Sequence, residues 1–354
     1  REVNTGLLNQ QLSSGGLVWS GNARPIPQFC IGILDYVHIA PKIQIKAQVS
    51  YGWFTDGKYQ EKQVGEKYPY IKKIKFHHKS FYLRFGAPKG HWLFDIGMRM
   101  DDQFGGYATR GIREGDLGNG WKDYLNALIP QNAGEGEYFD GNYLGSEHIK
   151  LTYQNKDYCL SAYLENYYDD FSGMGKLNGM DGLWGIEYRT NKYQSINNIV
   201  LEYYQSTNQS GPLHGLDFSI VKKTGGADNY YNHALYPGWS HWGMSMGNPF
   251  VASPIYNKNG DLTFLYTRVK AIHLGWSGDI TKEWTYRAKL SFNRTWGTPF
   301  KPIPEILENF STFAEFKYIP SKWRGWSFTG SAAFDIGDIY GDNLGFQLKI
   351  HKSF

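Results

Sequence analysis

The residues that could do chemistry are few and scattered. His77 and His78 are adjacent, Asp101–Asp102 and Asp169–Asp170 are paired acids, and Cys30 and Cys159 are the two cysteines. Neighbouring carboxylates could share a proton as an acid/base pair, or supply oxygen ligands to calcium from a loop. The simpler reading is that they are turn formers in Gly-rich stretches. Consecutive side chains on a strand point to opposite faces, so the two histidines cannot chelate one metal together, and a solvated pair is expected. The cysteines fall in different expected strands and read as unpaired small apolar residues, although an oxidising compartment would permit a disulfide. No Walker loop, HExxH, GxSxG or paired CxxC occurs, so the sequence reads as non-enzymatic, with no cofactor and no metal site.

A second set has a different chemistry. Trp19, Tyr230, Tyr231, Trp239, His241 and Trp242 lie in segments without periodicity, beside Asn22, Arg24, Asp169 and Asp170. Flat aromatic faces stack on the apolar faces of sugars, while amides, carboxylates and guanidinium groups bind hydroxyls. Trp19, Asn22, Arg24, Asp169, Asp170, Trp239 and Trp242 are therefore the candidate carbohydrate-binding residues. The competing reading is that these loop aromatics fold inward and plug the scaffold. A loop plug could also carry a ligand site.

The elements that must position them show a period of two. Trp284, Tyr286, Ala288, Leu290 and Phe292 alternate with Thr285, Arg287, Lys289, Ser291 and Asn293, and the pattern returns over Trp326–Phe334 and Phe346–Ile350. Period two means strands with one apolar and one polar face. The apolar face is rich in Trp, Phe and Tyr, and the polar face carries Arg and Lys in mid-strand. That arrangement predicts an antiparallel up-and-down transmembrane β-barrel, with lipid outside and a polar interior. Aromatics make up 17% of the 354 residues, and no run of 18 apolar residues predicts a membrane helix. A net charge of +4 with scattered basic residues gives no nucleic-acid signal.

Taken in order, residues 1–25 read as loop, followed by a weak strand near Ile26–Tyr36 and a clear one over Ile43–Trp53. Further strands end at Phe85 and run over Trp92–Met100, Ile149–Tyr153, Tyr158–Leu164, Trp184–Tyr188, Ile199–Tyr203 and Ile272–Trp276. Trp284–Phe292, Ala314–Tyr318, Trp326–Phe334 and Phe346–Ile350 complete a set of thirteen in one domain spanning 1–354. Thr55–Tyr70, 101–146 and about Thr207–Thr263 read as long loops, with a short amphipathic helix at Trp121–Ile129. With Phe354 on the periplasmic side, the short turns all fall there and the long loops fall outside. The odd count leaves residues 1–25 outside the cell, so an upstream segment with an odd number of strands, five being the natural number, is expected.

Four segments carry a family resemblance: Ser20–Pro27 (SGNARPIP), Asp169–Gly175 (DDFSGMG), Gly225–His233 (GGADNYYNH) and Gly238–Pro249 (GWSHWGMSMGNP). In combination they resemble the capsule-assembly Wzi family, in the form common in Bacteroidetes, over nearly the whole chain. The resemblance implies an 18-stranded bacterial outer-membrane barrel that attaches or assembles surface polysaccharide, with an N-terminal part bearing helices and the first strands. Thirteen strands and five make that number. The family pattern carries no ligand residues across. The expectation is a lectin-like, non-catalytic barrel whose partners are surface polysaccharide and outer-membrane lipid. The alternatives are a diffusion channel with Arg287, Lys289 and Lys349 setting weak anion preference, an accessory subunit docking outer-membrane proteins, and, more remotely, a hydrolase.

Overall fold

A computed structural model describes residues 6–111, 114–129, 141–169, 176–211 and 228–353. All thirteen expected strands are present, most of them longer than their periodic cores. They are β1 (Gln28–Ala40), β2 (Ile43–Trp53), β3 (Lys75–Phe85), β4 (Trp92–Phe104), β5 (Gly141–Gln154), β6 (Tyr158–Tyr168) and β7 (Gly182–Thr190). β8 (Asn198–Gln205), β9 (Val269–Asp279), β10 (Trp284–Gly297), β11 (Pro302–Tyr318), β12 (Trp326–Gly337) and β13 (Asn343–Lys352) follow. They form one antiparallel sheet in which each strand pairs with its neighbours in sequence, β1 and β13 standing at the two ends.

The two faces are inverted relative to a water-soluble sandwich. On β2, Gln44, Lys46, Gln48 and Ser50 are buried, whereas Trp53 is exposed; on β5, Ser146, His148 and Thr152 are buried, whereas Ile149 and Leu151 are exposed. The same holds on β9, with His273 inside and Ile272 outside. Leaving a large apolar side chain in water costs about 1.5–3 kcal/mol. A face of such residues repeated across the sheet is stable only against hydrocarbon, so the sheet is the wall of a transmembrane β-barrel. Register keeps the outward aromatics together: Trp284 pairs with Tyr318 and Phe292 with Phe310, and the Trp284 and Tyr318 rings stack at 4.7 Å.

Six connections, at 41–42, 86–91, 155–157, 191–197, 280–283 and 319–325, are short and share one end of the wall. The opposite end carries the long segments 54–74, 105–111, 114–129, 176–181, 206–211 and 228–268, as far as they are described. It also carries two tight turns, at 298–301 and 338–342, where β10 and β11 run on beyond the residues whose alternation marked them. The stretch before Ala314 is therefore strand from Pro302 onward. Within the long segments, α1 (Gly57–Val64) and α2 (Trp121–Leu128) are short helices. The helix near Trp121 was expected. α1 was not: Thr55–Tyr70 is too charged to show an apolar stripe.

Three further expectations are corrected. Residues 6–19 do not lie outside but run through the space enclosed by the wall, whereas Gly21, Arg24 and Pro25 are exposed. The histidine pair is not solvated: His77 and His78 do point to opposite faces, but both are buried. Asp101–Asp102 is not in a loop; both residues lie on β4, so they too face apart and cannot act as one acid/base pair. Asp101 faces inward, 2.6 Å from the Arg99 guanidinium and 2.5 Å from His78 Nδ1. Cys30 and Cys159 are free, on β1 and β6 with four strands between them.

Candidate functional site

The inner face of the wall grips the chain's own N-terminal segment. Lys46 on β2 donates to Gly6 O at 3.2 Å, and Lys150 on β5 to Leu7 O at 2.9 Å. Asn9 donates to Glu187 on β7 at 2.8 Å. His273 on β9 donates through Nε2 to Leu12 O at 2.7 Å, leaving Nδ1 to accept from Ser291. On β10, Arg287 donates to Gln11 O and Lys289 to Ser13 O. Strands from β2 to β10 reach one short segment, which requires the sheet to curl around it.

Two buried carboxylates fix the centre of this segment. Glu202 on β8 accepts from Ser13 Oγ and from Ser14 N–H, both at 2.7 Å, and from Tyr163 OH. Glu165 on β6 accepts the Leu17 N–H at 2.9 Å and lies 3.0 Å from His148 Nδ1. Bonds to a charged acceptor are roughly twice as strong as neutral ones, so the polar face of the wall serves as a backbone-binding surface. Gly185 is required at one such contact, because the Tyr163 ring lies where a Cβ would stand. Arg287 and Lys289, which suited an anion-selective channel, are thereby committed to plug carbonyls, and Arg287 also pairs with Glu315. Lys349 stays exposed on β13.

At the end of the long loops the plug becomes aromatic. Trp239 is fully buried and donates its indole N–H to Val18 O at 2.9 Å. Tyr167 and Tyr231 both donate to Leu17 O, and Tyr167 and Tyr230 stack at 4.4 Å. Ser20 N–H donates to Met246 O, Ser20 Oγ to Gly247 O, and Asn248 Nδ2 to Gly15 O. The segments Ser20–Pro27 and Gly238–Pro249 thus pack on one another at the loop end of the plug, with Tyr230 and Tyr231 of a third. Their sequence signature is, in large part, that of a plug. A polar cavity of about 230 Å³ borders it, lined by Ser13, Arg99, His148, Glu165 and Lys289 among others.

The seven carbohydrate candidates divide. Trp239 offers no face to a ligand. Trp19 is buried against Phe76, with the Arg99 guanidinium 5.2 Å from its ring. Asn22 is half-buried and donates to Ser245 O at 3.2 Å. Asp169 is half-buried just beyond β6, and Asp170 lies outside the described residues. Arg24 and Trp242 are brought together near the surface, the exposed Arg24 guanidinium sitting 4.4 Å over the half-buried Trp242 ring.

The Trp242 ring and the Arg24 backbone are held from below. Trp242 adopts a left-handed backbone, φ 55°, which costs a non-glycine residue on the order of 1 kcal/mol or more. Its N–H donates to Asp56 Oδ2 at 3.0 Å and its indole N–H to Thr55 Oγ1 at 3.2 Å. His241 donates through Nδ1 to Arg24 O at 2.9 Å, so its Nε2 accepts the Thr55 N–H. Burial pushes the Asp56 carboxyl above its usual range, opposed by His241 and by the Trp242 N–H. Asp56 and Thr55 escaped sequence reasoning; a signal was present, in an Asp opening a charged stretch as a helix cap does. The inner-face Glu165 and Glu202 were readable as polar-face residues, but their partner was not. Among the described residues no cluster of three or more His, Cys, Asp or Glu could hold a metal ion.

Fold and site together define a transmembrane β-barrel with an internal plug. Neither the protein-family models nor the curated proteins compared with it match the chain. Among solved structures it is similar to a Pseudomonas aeruginosa FadL homologue, at 10% identity over 96% of this chain and 82% of that one, with a TM-score of 0.35.

Proposed function

We propose that this is a bacterial outer-membrane barrel that binds surface polysaccharide through its loop end, without catalysis and without serving as an open pore. The observation that carries the reading is the Arg24–Trp242 pair, an aromatic ring and a guanidinium near the surface at the end bearing the long loops. The Trp242 ring is held by Thr55 and Asp56 and the Arg24 backbone by His241, so a ligand meets a ring already in place. The occupied interior supports binding over diffusion, because Arg287 and Lys289, two of the three cationic groups that would attract an anion, are engaged with the plug. The motif resemblance to capsule-assembly proteins points the same way.

The test is retention of the organism's own surface polysaccharide by purified protein. Trp242→Ala and Arg24→Ala should each weaken binding about tenfold, equivalent to ~1.4 kcal/mol, without changing heat-modifiable migration of the folded barrel. Failure of the unaltered protein to retain that polysaccharide, or full affinity in both variants, would remove the proposal.

A further inference from the structure

The outward face of the wall is apolar along most strands, but on β3 and β4 it is interrupted. The outward series Phe85, Leu83, Phe81 runs on into Lys79 and His77; the series Phe94, Ile96, Met98, Met100 runs on into Asp102. His77 and Asp102 are partners across the two strands. They are 1% and 0% exposed, and neither ring nitrogen and neither carboxylate oxygen has a hydrogen-bond partner. Such groups facing outward from a barrel need cover, since lipid cannot solvate them.

The cover is α2. Its backbone is tied to the outside of the wall: Tyr51 OH donates to Tyr124 O at 2.8 Å, Tyr143 OH to Asn126 O at 3.2 Å, and Lys79 Nζ to Ala127 O and Leu128 O at 3.0 and 2.5 Å. Carbonyls of the last turn, which lack partners within a helix, thus receive outward donors, one of them cationic as the helix dipole favours. At the start, Asp123 reaches back to accept the Gly120 N–H at 2.7 Å. Tyr124 packs on Tyr51 and Phe104. The far side of the helix carries Trp121 (72% exposed) and Leu125 (41%), spaced by four and therefore on one side, and Ile129 (63%) follows directly after its last residue.

We propose that α2 lies flat at the boundary of the bilayer leaflet on the loop side, with Trp121, Leu125 and Ile129 in the lipid. It completes the apolar belt where Lys79, His77 and Asp102 break it. The occupant is bilayer lipid, because the exposed stripe is continuous with the lipid-facing wall and carries a Trp where aromatic residues settle at membrane interfaces. The inference rests on the wall being transmembrane.

Nitroxide labels at Trp121→Cys and Leu125→Cys, each in a Cys30→Ser, Cys159→Ser background, test it in phosphatidylethanolamine–phosphatidylglycerol vesicles. Ile272→Cys on the wall and Lys258→Cys in an exposed loop are the references. Both α2 labels should collide with oxygen in preference to a water-soluble nickel chelate, as at 272 and opposite to 258. Chelate-accessible α2 labels with a lipid-exposed 272 would overturn the proposal and leave the barrel standing. Labels shielded from both reagents would also overturn it, in favour of a protein partner. A chelate-accessible 272 would overturn the transmembrane wall itself.

Discussion

Two tryptophans three residues apart illustrate how much a side chain's role depends on where the loop puts it. Trp239 and Trp242 were equivalent as aromatic residues among polar neighbours, yet one is sealed in the plug and the other is half-buried beneath Arg24. Trp239→Ala should destabilise the folded barrel by ~3–5 kcal/mol, as for a buried aromatic, measured by denaturant unfolding in detergent. Trp242→Ala should change ligand affinity with a much smaller effect on stability. Sequence reading found both residues but could not separate them, because local patterning carries no information about which face of an aperiodic loop meets the core. A third residue gives the loop end a pH dependence. Burial lowers His233 from 6.5 to about 4, while its Nδ1 accepts the Leu235 and Tyr236 N–H groups. The folded state therefore favours neutral imidazole. Its contribution is intact above pH 6.5 and is lost as pH falls to and through about 4, by at most ~3 kcal/mol. Protease sensitivity of the 228–268 segment should rise over that window, and His233→Asn, which keeps an acceptor there, should flatten the rise. A sensitivity that increases towards alkaline pH would contradict the assignment.

Among elements, the strands were legible and the segments between them were not. Alternation in β2, β10 and β12 reports a physical constraint repeated every second residue, so the pattern survives without knowledge of any partner. Residues 6–26 have no such constraint. They are held mostly by side chains more than a hundred positions away, such as Glu165 to Leu17 and Glu202 to Ser14, and nothing in SSGGLVWSGN foretells that wall carboxylates receive its amides. The same reasoning explains α1, whose cap and packing are tertiary. The plug's dependence on these two acids is testable. Glu165→Ala with Glu202→Ala strands buried N–H and O–H groups at ~1–3 kcal/mol each. The variant should expose residues 6–20 to proteolysis while the β-sheet circular dichroism is retained. Unchanged protection would mean that the aromatic core at Trp239 and Tyr231 holds the segment unaided.

At the scale of the whole molecule, the chain is organised by one inversion: apolar residues face outward, polar residues face inward, and the inward polar groups grip the protein's own backbone, with polar cavities beside it. Mean hydropathy is −0.51, which would suit a water-soluble domain; the membrane character lies in the spacing of apolar residues, not in their number. On the proposed reading the plug gives this inversion a functional sense: a barrel gripping residues 6–19 offers its loop end to a ligand and is expected to conduct little. Single-channel recording of the protein in planar bilayers addresses this most directly. The unaltered protein should be electrically silent, and the Glu165→Ala, Glu202→Ala variant should show intermittent openings. A stable ohmic conductance in the unaltered protein would contradict a plugged binding barrel and would make it a diffusion channel.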